Sequence, residues 1–206
     1  MNRLVGIMAD SHGDASAIEG AIGALSSLGC QSLVHLGDVC DSSRPESADR
    51  CVSILRENGV STVKGNNDHM VVANRDGLDL GDVSPETVAW LKALPLKIRI
   101  DGAAFVHSLP FVRELGLSAM VRGMGKKEMA FYLGFPHRER LLFRGHNHDP
   151  CVVCMEDGRL SDRVPAPGQK IELRPGLAFI VTCGALINGL CMVWDQDRHA
   201  VTSLSL

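Results

Sequence analysis

A chain of 206 residues is long enough to bury a sizeable core within one domain, residues 1–206, and requires no linker. With 45% hydrophobic residues, 22% charged residues and a net charge of -3, it is neither a disordered chain nor one built to coat nucleic acid. A phosphorylated substrate would therefore need metal ions to offset its charge.

Seven cysteines, at positions 30, 40, 51, 151, 154, 183 and 191, are an odd number scattered through apolar segments, which suits reduced thiols in the cytoplasm. Cys151 and Cys154 lie in a strand-like Cys-Val-Val-Cys-Met run without a partner pair and read as core residues. The apolar run before Asp10 is too short for a signal peptide, and no stretch approaches membrane-spanning length.

The first strand, Val5-Gly6-Ile7-Met8-Ala9, ends abruptly in Asp10-Ser11-His12-Gly13-Asp14. Asp14 can cap a helix whose apolar positions Ile18, Ala21, Ile22, Leu25 and Leu28 follow the 3.6-residue period, with Gly29 placed to end it. Residues 33–36 read as a second strand ending at Gly37-Asp38, and a helix over about 46–58 stops at Gly59. A third strand over 60–64 then ends in Gly65-Asn66-Asn67-Asp68, where the paired asparagines suit a tight turn. Right-handed crossovers keep such parallel strands together, so Asp10, His12, Asp38 and Asn66 should share one rim.

Ser84-Pro85-Glu86-Thr87 opens a short helix with Val88, Leu91 and Leu94 on its buried face. Residues 96–100 and 103–106 form a predicted hairpin about Asp101-Gly102, and its second strand ends at His107. Residues 111–140 are less regular, with Met120, Met124, Met129 and a helix expected around 126–133, and read as a cover over the site. Residues 141–144 form a strand that delivers Gly145-His146-Asn147-His148, and 151–206 read as antiparallel sheet.

Asp10, His12, Asp38, Asn66, His107, His146 and His148 thus each follow a predicted strand. Two carboxylates, one amide oxygen and four imidazoles suffice for two adjacent metals if one carboxylate bridges them. His35, His69, His137 and His199 fall outside this pattern and are expected to be structural or exposed. Arg122, Lys126 and Lys127 are expected on a solvated helix face, with contact to substrate phosphate as the alternative.

The series Asp10-x-His12, Gly37-Asp38, Gly65-Asn66-Asn67-Asp68, His107 and Gly145-His146-Asn147-His148 resembles the calcineurin-like metallophosphoesterase family, in particular its small bacterial phosphodiesterase branch. The resemblance implies an α/β fold of two facing mixed β-sheets flanked by helices, a four-layer sandwich. It implies that Asp10, His12, Asp38 and His148 hold one metal and that Asp38, Asn66, His107 and His146 hold the other, with Asp38 as the bridge. The ions expected are two divalent cations, with manganese the first expectation and iron, zinc, nickel or magnesium the alternatives. Such ions sit about 3.5 to 4 Å apart, lower the pKa of a shared water and neutralise phosphate oxygens during in-line attack.

Asn67 stands where the family often carries a histidine, so a hydrogen bond to phosphate replaces a proton donor there, with Asp68 placed to orient it. The expected activity is hydrolysis of a small phosphodiester or nucleotide. The alternatives are a dinucleotide polyphosphate hydrolase, since Gly37-Asp38-Val39-Cys40-Asp41 followed by Arg44-Pro45 resembles a phosphatase run, a phosphomonoesterase, or a non-catalytic scaffold on the same fold. The partner expected is a small phosphorylated substrate, without membrane or stable nucleic-acid binding, and with a homo-oligomer left open.

Overall fold

The computed structural model describes residues 3–78, 81–112, 122–135 and 139–206. One sheet is built on the parallel strands β1 (Leu4–Met8), β2 (Ser32–His35) and β3 (Ser61–Thr62). The second carries β4 (Lys97–Ile100), β5 (Ala103–Val106), β6 (Leu141–Arg144), β7 (Cys151–Glu156) and β8 (Arg159–Arg163). The chain then returns to the first sheet with β9 (Lys170–Glu172), to the second with β10 (Phe179–Thr182), and ends in the first with β11 (Leu190–Asp195) and β12 (Ala200–Ser205). The strand orders are β3-β2-β1-β11-β12-β9 and β4-β5-β6-β10-β7-β8.

Strand alternation explains the layers. In β10, Phe179 and Val181 face the other sheet while Ile180 faces outward. Between the sheets, Phe105 and Phe143 are register partners on β5 and β6 and stack with ring centroids 4.9 Å apart, and Trp194 from the first sheet lies 5.2 Å from Phe143. Burying rings of this size from both sheets locks the sandwich.

Helices α1 (Ala15–Ser27), α2 (Ala48–Glu57), α3 (Asn66–Arg75) and α4 (Pro85–Ala93) cover the outer face of the first sheet through Ile18, Leu25, Cys51, Leu55, Val71 and Leu91. Helix α5 (Lys126–Gly134) lays Tyr132 and Leu133 on the outer face of the second. The layers are therefore helices, sheet, sheet, helix, as the resemblance implied. The caps foreseen at Asp14 and Ser84 accept from Ala17 N and Thr87 N. Asp101 and Gly102 both have positive φ, at 46° and 81°, as a two-residue I′ hairpin turn requires.

Several expectations change. The third strand contracts to two residues, and the asparagine turn opens α3, whose N-terminus is fixed by the Asp68 carboxylate accepting the Gly65 N–H at 2.8 Å. The C-terminal third is not wholly antiparallel, because β10 pairs in parallel with β6 and antiparallel with β7. Helix α5 forms a layer, whereas part of the expected cover, residues 113–121 and 136–138 with Met120 and His137, lies outside the described residues. Cys151 and Cys154, on one strand, face opposite sides of the sheet and cannot share an ion, and all seven cysteines are free. Among the described residues, no helix is long and apolar enough to cross a membrane.

Candidate metal centre

The sandwich contains two parallel cores, β3-β2-β1 and β5-β6-β10, and both send their C-terminal ends to the same rim. Asp10 follows β1, Asp38 follows β2, Asn66 opens α3 after β3, His107 follows β5 and His146 follows β6. Backbone hydrogen bonds lace these turns together: Asp10 N to Gly37 O at 3.0 Å, His12 N to Asp38 O at 3.0 Å, and Gly145 N to His107 O at 3.0 Å. The loops approach so closely that a Cβ on Gly37 would lie 2.6 Å from Gly65 N, and one on Gly65 would lie 2.1 Å from Asp38 N. The glycines before Asp38 and Asn66 are therefore steric requirements of the site.

Four of the seven expected ligands occupy the left-handed backbone region: Asp10 (φ 54°), His12 (44°), Asp38 (54°) and His146 (66°). Each such residue costs roughly 1–3 kcal/mol, which the surrounding hydrogen bonds must offset. The strain turns the side chains off their strands and toward one another.

They meet in two groups. In the first, His12 Nε2 lies 3.3 Å from His148 Nε2, His148 Nε2 lies 3.9 Å from Asp10 Oδ1, and His12 Nε2 lies 3.9 Å from Asp38 Oδ2. In the second, Asn66 Oδ1 lies 3.0 Å from both His107 Nε2 and His146 Nδ1, and His107 Nε2 lies 3.5 Å from Asp38 Oδ1. The structure thus brings together all seven ligands expected from the sequence, with Asp38 between the groups.

The donor chemistry fits a cation. The Leu36 carbonyl accepts from His107 Nδ1 at 2.8 Å, so in the neutral ring Nε2 presents a lone pair. That lone pair converges with Asn66 Oδ1, His146 Nδ1 and Asp38 Oδ1, an arrangement of acceptors that a metal ion would satisfy. Without one the titration is distorted. Burial, together with the Asp38 charge, pushes the Asp10 carboxyl up to about 7 against the opposing pull of His107. Burial disfavours protonated His107, yet Asp38 and Asp10 outweigh it and raise its pKa. Burial, reinforced by His107, pulls His146 down to about 4, and burial also lowers His12.

Asp68 and Asn67 both act on the Asp38 turn. Asp68 is fully buried and accepts the N–H groups of Gly65, Asp38 and Cys40 at 2.8, 3.0 and 3.0 Å, so it braces the Asp38 turn from behind. Asn67 donates Nδ2 to Asp38 Oδ2 at 2.7 Å, and its Oδ1 accepts from Ser42 Oγ at 2.8 Å. Its amide is directed at the Asp38 carboxylate.

His35 is buried and structural, as expected. Gly37 N donates to Nδ1 at 3.2 Å, leaving Nε2 to donate to Ser11 Oγ, which donates onward to Val39 O. Burial holds it neutral, with a pKa near 3. His69 and His199 join neither group, and Arg122 pairs with Glu128.

The sequence reading overlooked Arg144. This residue ends β6, is 2% exposed, and donates from Nε to Thr182 Oγ1 at 3.1 Å and from Nη2 to Asn147 Oδ1 at 2.7 Å. It thereby fastens the residue between His146 and His148. Burial pulls its guanidinium down to about 10. The only sequence signal was a charge closing an otherwise apolar strand.

Similar proteins share this fold. An uncharacterised protein of Methanocaldococcus jannaschii is 23% identical over 175 residues, 76% of this chain and 67% of that protein. A metallophosphoesterase from Sphaerobacter thermophilus superposes with a TM-score of 0.79 at 18% identity, over 100% of this chain and 88% of its own. An archaeal phosphodiesterase superposes with a TM-score of 0.50 at 15% identity, over 98% and 99% of the two chains. Residues 4–181 match the calcineurin-like phosphoesterase superfamily domain, and with the Asp and His side chains gathered at its rim, the chain belongs to that superfamily of metal-dependent phosphoester hydrolases.

Proposed function

We propose that the protein is a dinuclear phosphodiesterase acting on a small phosphodiester. The observation that carries this reading is the position of Asp38, whose Oδ2 faces His12 at 3.9 Å while its Oδ1 faces His107 at 3.5 Å. One carboxylate between two imidazole groups is what a shared ligand requires. Asp10, His12, Asp38 and His148 would hold one ion, and Asp38, Asn66, His107 and His146 the other, with manganese the first candidate. When bound, the ions would supply a nucleophilic water near neutral pH and neutralise phosphate charge.

The chain's own residues orient this chemistry. Asn67 holds the Asp38 carboxylate from both oxygens, Asp68 fixes the turn beneath it, and Arg144 fastens the His146–His148 loop. The imidazoles at the rim belong to the ligand groups, and Asn67 cannot give up a proton near neutral pH. Good leaving groups and singly charged diesters are therefore favoured over alkyl monoesters. The archaeal neighbour described as a phosphodiesterase supports the diesterase reading, and the complete ligand set favours catalysis over a scaffold. Free thiols suit a reducing, cytoplasmic setting.

The test is metal content and hydrolysis measured together. After manganese loading and removal of free metal, two ions per chain are expected, with kcat/KM for aryl diesters above that for matched monoesters. One ion or none would end the dinuclear reading, and a monoester preference would end the diesterase one.

A further inference from the structure

A groove of about 450 Å³ opens beside His12 and is lined by Asp14, Arg44, Glu46, Ser47 and Ile187 as well as His12 itself. It is continuous with the metal centre. His12 belongs to the first ligand group, and Ile187, also in the lining, hydrogen-bonds through its N–H to Asp10 O at 3.4 Å. A diester held at the rim has two substituents, and this groove can receive one of them. Its volume is within the range of small-molecule sites and far exceeds what a methyl ester would fill.

The charges determine what fits. The Arg44 guanidinium is committed to Asp41, Nε to Oδ2 at 3.0 Å, so it presents little uncompensated positive charge. Asp14 turns one oxygen to Ala17 N as the cap of α1, and exposed Glu46 forms no ion pair among the described residues. The walls are thus net negative around two apolar side chains, Ala15 and the larger Ile187, which is 45% exposed. A second phosphate would meet carboxylates here.

We infer that this groove is the subsite for the outer alcohol of the substrate and that it selects a non-anionic alcohol, a cationic amino alcohol best of all. The inference rests on the phosphodiesterase reading and disfavours the dinucleotide polyphosphate alternative, whose second half carries further phosphates.

The experiment compares p-nitrophenyl phosphodiesters whose outer alcohol is choline, glycerol, or ethanol bearing a terminal phosphate, using the manganese-loaded full chain at low ionic strength. The expected order of kcat/KM is choline, glycerol, phosphate-bearing, with about three- to tenfold between the extremes, since exposed charge pairs are individually weak. Calorimetric binding of the corresponding phosphonate esters should follow the same order. Glu46→Lys should lower the choline-to-phosphate ratio by at least about threefold, and Glu46→Gln should lower it less. If none of the diesters is hydrolysed, the phosphodiesterase reading fails and this inference with it. If diesters are hydrolysed without regard to the outer charge, or the phosphate-bearing one is preferred, the subsite assignment alone is overturned. An unchanged ratio in Glu46→Lys likewise removes Glu46 and the groove from specificity.

Discussion

Asn67 grips both oxygens of Asp38: its backbone N–H donates to Oδ1 at 2.8 Å and its amide Nδ2 donates to Oδ2 at 2.7 Å. The carboxylate between the two imidazole groups is therefore fixed in its plane, with a lone pair of each oxygen left to face a different group. Asn67→Ala removes the side-chain half of this grip while leaving the backbone half. Metal affinity should fall by about ten- to a hundredfold with the fold intact, as read by chelator competition and circular dichroism. An affinity equal to the parent's would show that Asp38 needs no such support.

On the dinuclear reading proposed above, loss of Asp38 should cost more than loss of one arm of a single group. Asp38→Ala is expected to abolish tight binding of both ions, whereas His148→Ala, at the more exposed end of the first group, should leave one. Elemental analysis after removal of free metal checks this. Equal occupancies in the two variants would argue against bridging.

Acid should destabilise the metal-free protein through His35. Its folded pKa, near 3, is below the ordinary 6.5, so the unfolded chain binds the extra proton first. Stability contributed by neutral His35 is fully present above about pH 6.5 and is lost as pH falls toward 3. His146, near 4, acts in the same direction over a narrower window. Asp10 acts oppositely: raised to about 7 from 3.8, its neutral form contributes stability that is present below about pH 4 and lost as pH rises to 7. Asp68, raised to about 6 by burial and the Asp38 charge, and His107, raised by the neighbouring carboxylates against its burial, act in the same direction as Asp10. The test is therefore a difference: in urea unfolding in chelator between pH 4 and 7, His35→Gln should lose, relative to the parent, the gain of stability with rising pH that His35 contributes. A slope unchanged by that substitution would reject the assignment.

Breaking the link between Arg144 and Asn147 should loosen the His146–His148 loop. Asn147→Ala is expected to cost about 1.5–3 kcal/mol, the usual value of a hydrogen bond to a charged group, and to weaken metal binding. Arg144→Met should cost at least as much, because Thr182 loses its donor too. In a double-mutant cycle with metal affinity as the readout, the two substitutions should be strongly non-additive. Simple additivity would mean that Arg144 only fills space.

The sequence by itself determined which residues end the strands and what chemistry they carry. An apolar run stopped by Asp10, Asp38, His107 or Gly145-His146 is a local signal, as are the caps at Asp14 and Ser84 and the Asp101-Gly102 turn, because each depends on residues only a few positions apart. Helix α3 escaped notice since its first turn, Asn66-Asn67-Asp68-His69, consists of weak helix formers, and Val71 and Val72 provide little periodicity. It forms because Asp68 closes over Gly65 and because the helix is buried against the first sheet. Strand pairing was equally out of reach, as nothing local tells β10 to lie parallel to β6, 38 residues earlier at Thr182 and Arg144. The direction of the Asn67 amide, the hold of Arg144 on Asn147 and the groove beside His12 were decided only by tertiary structure. The Asn67 amide reaches Asp38 from the neighbouring turn of the same sheet, the groove gathers residues from separate loops, and Arg144 reaches Asn147 only because the turn after β6 folds back on it; such side-chain directions leave no period or spacing in the chain.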